Sequence, residues 1–104
     1  MTLRPPGRRS HLPNPESGQD VLQRELLEEM AISLGRAGRR AELALTQLRE
    51  HQGAADERLV LLKAAAESVH AYFIQRELCG LRKHDDVIRE YRIPRAVLAR
   101  LGAK

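Results

Sequence analysis

Apolar residues recur along the first half of the chain at alternating steps of three and four: Leu27, Met30, Leu34, Ala37, Ala41, Ala44 and Leu48. This seven-residue repeat sets all of them on one stripe of an α-helix and permits coiled-coil-like packing. Gly35 and Gly38 fall between the stripe positions. Each costs a helix about 1 kcal/mol relative to alanine. A break at Gly35–Arg40 is the rival reading, but a break has no reason to keep the heptad in phase. The pattern therefore predicts one helix from about Val21 to about His51, on the order of 45 Å long. Leu22 and Leu26 widen the stripe near its start. Ile32 and Leu43 lie off it, nearly in line with each other at about 100° per residue. That second apolar strip points to a second partner surface.

Asp20 is the predicted N-cap, with Gln23 completing a capping box. Acids follow at Glu25, Glu28 and Glu29, where the positive helix end favours them. The Gln52–Ala55 stretch predicts a turn, with Gly53 as the C′ residue and Asp56 as the next cap. Leu59, Leu62, Ala66, Val69 and Phe73 then form the stripe of a second helix, from about Glu57 to about Cys79. Hairpin geometry brings Ala64, Ala65 and Ala66 near Ala41 and Ala44, and facing small residues let two helices approach closely. Gly80 followed by Leu81 predicts a Schellman stop. Asp85 or Asp86 caps a third helix, Val87 to Tyr91. Pro94 opens a fourth, which ends at Gly102.

The expected fold is all-α: a long antiparallel helical hairpin over about 20–80, followed by two short C-terminal helices that cap it over about 84–102. These form one helical domain, 18–104. Residues 1–17 are rich in proline, glycine, serine and arginine, show no apolar period, and are expected to be a disordered basic tail. Composition agrees with helices. The 104 residues are 42% hydrophobic but only 3% aromatic, so leucine, alanine and valine must fill the core. Strands favour β-branched and aromatic residues instead. A chain this small gains by pairing with a copy of itself, and a homodimer through the hairpin is expected. Leu27, Met30, Leu34, Leu48, Leu62, Val69 and Phe73 form its core and oligomer seam.

The net charge of +4 is unevenly spread. Residues 18–80 carry eight bases against ten acids, whereas residues 81–104 carry seven bases against three. A basic end attracts nucleic acid or acidic partners, or simply keeps the surface solvated. The single cysteine, Cys79, excludes an intrachain disulfide and fits a reducing compartment, most simply the cytoplasm. No run approaches the roughly 18 apolar residues of a membrane span.

The sharpest chemical lead is Asp86–Leu101, which resembles a helix-turn-helix. Ile88, Ile93 and Leu98 have the spacing that packs two short helices steeply. Arg92, Arg95 and Arg100 would meet nucleic acid, with Arg95 and Arg100 on the helix that lies in the major groove in that family. The family usually has a small residue where Ile88 stands and glycine where Arg92 stands. The bland alternative is a helical cap on the hairpin. Glu67-Ser68-Val69-His70 is a Glu-x-x-His, the spacing of di-iron bundles, but a full site needs two such motifs and two further glutamates. Arg39 and Arg40 are expected opposite Glu67, which favours a salt bridge over a metal. No phosphate loop, dinucleotide glycine pattern, nucleophile elbow or paired zinc cysteines occur, and no cofactor is implied.

The stretch from Tyr72 to Arg82, with Tyr91-Arg92-Ile93-Pro94 and Leu101-Gly102, resembles a family of short, uncharacterised bacterial all-helical proteins. The resemblance lies mainly in residues 72–102. It implies a small all-α protein and brings no known catalytic residues. The functional expectation is a non-enzymatic protein–protein interaction or assembly module, with DNA binding by residues 86–101 as the alternative.

Overall fold

The computed structural model describes residues 17–103, and the basic tail expected over 1–17 lies, Ser17 apart, outside them. Four helices follow in order: α1 (Gly18–Glu50), α2 (Ala55–Leu78), α3 (Asp85–Glu90) and α4 (Arg95–Leu98). No strand occurs among the described residues. The protein is all-α, a long helix followed by shorter ones. The chain falls into two units, 1–30 and 31–104.

In the first unit the described residues are the opening turns of α1. Ser17 caps them: its Oγ accepts a hydrogen bond from the Asp20 N–H at 3.2 Å. The cap therefore stands three residues before the expected Asp20, because a serine hydroxyl at Ncap reaches the N3 amide. Asp20 occupies the first turn. Leu22, Leu26 and Leu27 are exposed there, and Met30 is half-buried.

The second unit holds the core. α1 is helical through both Gly35 and Gly38, as the unbroken heptad predicts. Its buried line is Ala37, Gly38, Ala41, Leu45 and Leu48, with Leu34 and Ala44 partly buried. Two positions differ from the sequence reading. Leu45 (2% exposed), not Ala44, is the fully buried neighbour of Leu48. Gly38 lies on the buried line, not between its members. The reason is the partner: a Cβ at Gly38 would stand 3.2 Å from Cε1 of Tyr72, so the missing side chain makes room for that ring.

α2 faces this line with Ala65, Ala66, Val69, Tyr72, Phe73 and Arg76. Ala41, Ala65 and Val69 are wholly buried, so small residues fill much of the line between the two helices. Ala64 and Leu59 are exposed. The Arg58 guanidinium donates to the Leu48 carbonyl at 3.2 Å, tying the start of α2 to the end of α1.

The connecting turn is not closed by a left-handed glycine: Gly53 is not among the positive-φ residues. Instead its N–H points at the His51 ring, 3.2 Å from Nε2 and 3.4 Å from Nδ1, and Nε2 also lies 3.3 Å from the Glu57 carboxylate. Ala54, not Asp56, is the N-cap residue, and its N–H donates to Oε1 of Glu57.

α2 does end in the predicted Schellman motif. Gly80 has φ +90°, its N–H donates to Glu77, and the Leu81 N–H donates to Arg76. α3 starts after His84, so Asp85 and Asp86 lie in its first turn and do not cap it. α4 packs on α2, and the turn after it closes at Gly102 (φ +77°). Val87, Ile93 and Val97 bury into the same cluster as Val69, Tyr72 and Phe73. α3, α4 and their connection thus add a third wall to the hairpin core. Among the described residues no helix is long and apolar enough to cross a membrane.

Candidate functional site

The basic C-terminal segment does not gather its arginines on one reading face. Arg92 lines a cleft of about 270 Å³ with Thr46, Arg49 and Glu90. Arg100 lines a different, open groove of about 670 Å³, together with Lys63, Glu67 and His70. Arg95 is exposed at the start of α4. α4 itself has four residues, one turn of about 6 Å, and it commits Val97 entirely to the core.

Arg92 is the conformational outlier of this segment. Its φ is +50°, the left-handed region, and no other described non-glycine residue shares it. The cause is a second Schellman closure. The Arg92 N–H donates to Arg89 and the Ile93 N–H donates to Ile88, at 3.2 and 3.0 Å. Arginine therefore occupies the position where glycine is expected in a helix-turn-helix, and the backbone still turns as glycine would. The Arg49 guanidinium donates to the Tyr91 carbonyl at 3.2 Å, which fixes this turn against the end of α1. Burial pushes the Tyr91 phenol above its ordinary 10.0, and the neighbouring Tyr72 and Glu90 add to the shift.

Glu67 and His70 share the groove below Arg100. Arg39 and Arg40 are exposed, and neither forms the expected ion pair with Glu67; among the described residues Arg76 pairs with Asp86, and His51–Glu57 and His84–Glu77 are histidine–carboxylate contacts. The reason is rotational: Gly38 and Ala41 take the side of α1 that meets α2, which turns Arg39 and Arg40 outward. Among the described residues no three His, Cys, Asp or Glu side chains stand close enough together to hold a metal.

Of the expected seam, Leu48, Val69 and Phe73 are buried, Met30, Leu34 and Leu62 are half-buried, and Leu27 is 59% exposed within the single chain.

One polar cluster had no sequence motif. Arg76 is only 7% exposed, and its guanidinium is held through Nε and Nη2. Nε–H donates to Nδ1 of His84 at 3.0 Å, and Nη2 donates to the Lys83 carbonyl at 2.9 Å. Nη2 also reaches Asp86 at 3.4 Å, and the cation lies 5.8 Å from the Tyr72 ring centre. Because Nδ1 of His84 accepts from Arg76, its hydrogen sits on Nε2, which donates to Glu77 at 2.9 Å. The imidazole stacks on Phe73 at 4.1 Å. The cluster fastens the end of α2 to the start of α3. The only sequence signal for it was an arginine on the buried side of an otherwise apolar helix face. Its satisfied geometry marks a structural role.

The chain belongs to a family of unknown function, DUF6665, whose profile matches residues 1–104. No curated protein and no solved structure matches it.

Proposed function

We propose that this DUF6665 member is a non-enzymatic helical interaction module that assembles as a homodimer through its hairpin. The observation that carries the reading is the apolar surface left open along α1. Leu22, Leu26, Leu27, Ile32 and Leu43 are 48–67% exposed, on a helix that buries nothing before Ala37. Single exposed leucines are ordinary, whereas Leu22, Leu26 and Leu27 lie within the first ten residues of α1 with no buried residue beside them, an apolar surface for a partner to cover. The lone Cys79 suits a reducing compartment, most simply the cytoplasm. Sedimentation velocity at micromolar concentration tests the reading. A dimer is expected, and a stable monomer overturns it.

DNA binding is the second reading, favoured by the exposure of Arg92 and Arg95. Fluorescence anisotropy with mixed duplex DNA decides it. Binding that falls steeply with salt and is lost in an Arg95→Ala/Arg100→Ala variant supports it, since phosphate contacts release counterions. Unchanged affinity in the variant, or no binding at low salt, rejects it.

A further inference from the structure

α2 carries a second heptad on the face turned away from the core. Val60, Ala64, Glu67, Ala71, Ile74 and Leu78 follow one another at alternating steps of four and three. At about 100° per residue these side chains fall within about 80° of one another. They lie about 180° round the helix from the centre of the six residues that α2 buries. All are exposed in the single chain, Val60, Ile74 and Leu78 by 66, 45 and 67%. Val60, Ala64 and Glu67 line the open groove that Arg100 borders, so the C-terminal residues flank this stripe.

In a seam between two such helices, Val60, Glu67 and Ile74 take one core position of the heptad and Ala64, Ala71 and Leu78 the other. Lys63, His70 and Glu77 each stand one residue before the second set and so mark one edge of the seam. The Lys63 and Glu67 side chains have no ion-pair partner among the described residues. Glu77 meets His84 through Oε2 at 2.9 Å, which leaves Oε1 for a cation.

A second copy of the chain, laid antiparallel with the twofold axis level with Val69, matches this pattern. Val60 of one copy then meets Leu78 of the other, Ala64 meets Ile74, and Glu67 meets Ala71. Two of these three layers set a small residue against a longer one, so the side chains interdigitate. Along the edge Lys63 faces Glu77, base on acid, and symmetry repeats the pair. A parallel copy would instead set Glu67 on Glu67 within the seam and Lys63 across from Ser68. We infer that the outer face of α2 crosses the twofold axis of the homodimer in this antiparallel register. The inference rests on the homodimer reading above and names the helix at the axis and its direction.

Charge exchange tests it on the full chain, by sedimentation velocity. Lys63→Glu sets acid on acid and Glu77→Lys sets base on base. Each variant alone is expected to dimerise about tenfold more weakly, with helicity by circular dichroism unchanged because both residues are exposed. The double variant Lys63→Glu/Glu77→Lys should recover the dimer, since each acid again faces a base. Losing the His84 contact at Glu77 is not repaired by a change at Lys63, so recovery reads the pairing across the seam. Orientation is read separately, in a Cys79→Ser background. Val60→Cys mixed with Leu78→Cys should cross-link on oxidation, and Val60→Cys alone should not. Dimers unaffected by both single variants, a double variant that stays weak, or self-cross-linking of Val60→Cys overturns this register and leaves the homodimer reading standing. A wild-type monomer at micromolar concentration overturns both.

Discussion

Arg92 holds a conformation that costs a residue with a Cβ about 1–2 kcal/mol. Two backbone hydrogen bonds and the Arg49 contact at Tyr91 hold it there. Arg92→Gly removes the steric cost, and part of the gain is returned because glycine loosens the unfolded chain. The variant is expected to be about 0.5–1 kcal/mol more stable in urea denaturation. The two glycines inside α1 make a paired test. A Cβ at Gly35 meets only the flexible tip of Arg39, at 3.3 Å, whereas one at Gly38 meets the packed Tyr72 ring at 3.2 Å. Gly35→Ala should raise Tm through a helix gain of about 0.5–1 kcal/mol. Gly38→Ala should not, because the ring must shift. Equal rises would show that the helices are not close at Gly38. Both glycines were read from the sequence as tolerated interruptions. Only the position of Tyr72, 34 residues away, separates the one that makes room from the one that does not.

At the scale of elements, each join has its own device. Glycine with positive φ ends α2, a strained arginine ends α3, and the His51–Glu57 pair with the Ala54 amide organises the α1–α2 turn. Gly80→Ala should cost about 1 kcal/mol, since alanine resists the left-handed conformation. Arg76→Ala should cost more, about 1–3 kcal/mol, because it leaves the Lys83 carbonyl and His84 Nδ1 without their donor. Arg76→Lys should recover little of this, as an ammonium cannot reproduce the guanidinium fork. Denaturation midpoints of the three variants check both expectations. The Gly80-Leu81 stop was legible in the sequence because a Schellman motif is local. The Arg76–His84 junction was not, because it depends on how α3 folds back beside α2.

For the whole molecule, stability is concentrated in one region. Buried apolar residues run from Ala37 to Leu48, Ala65 to Phe73 and Val87 to Val97, and none lies in residues 17–30. If the early turns of α1 are covered by a second copy, the unfolding midpoint must rise with protein concentration, because association favours the folded state by mass action. A concentration-independent midpoint across the micromolar range would contradict that coupling. The fold also has an alkaline limit. Tyr91 resists ionisation more in the folded than in the unfolded chain. Its contribution is fully present below the ordinary value of 10.0 and is lost as pH rises through the higher folded value. Denaturation followed between neutral pH and pH above about 10 should show stability falling at the alkaline end, and Tyr91→Phe should reduce that fall.

The sequence by itself determined the helical class, the two long helices and their approximate ends, the continuity of α1 and the glycine stop of α2. Each follows from periodicity, propensity and capping, which act over a few residues. Tertiary structure decided which line of α1 is buried, moving the contact from Ala44 to Leu45 and placing Gly38 under Tyr72. It decided that Arg92 and Arg100 stand in separate clefts, and that Arg76 is a buried junction. These outcomes depend on the rotation of one helix against another and on where a chain reversal returns. Both are fixed by close packing among residues far apart in sequence.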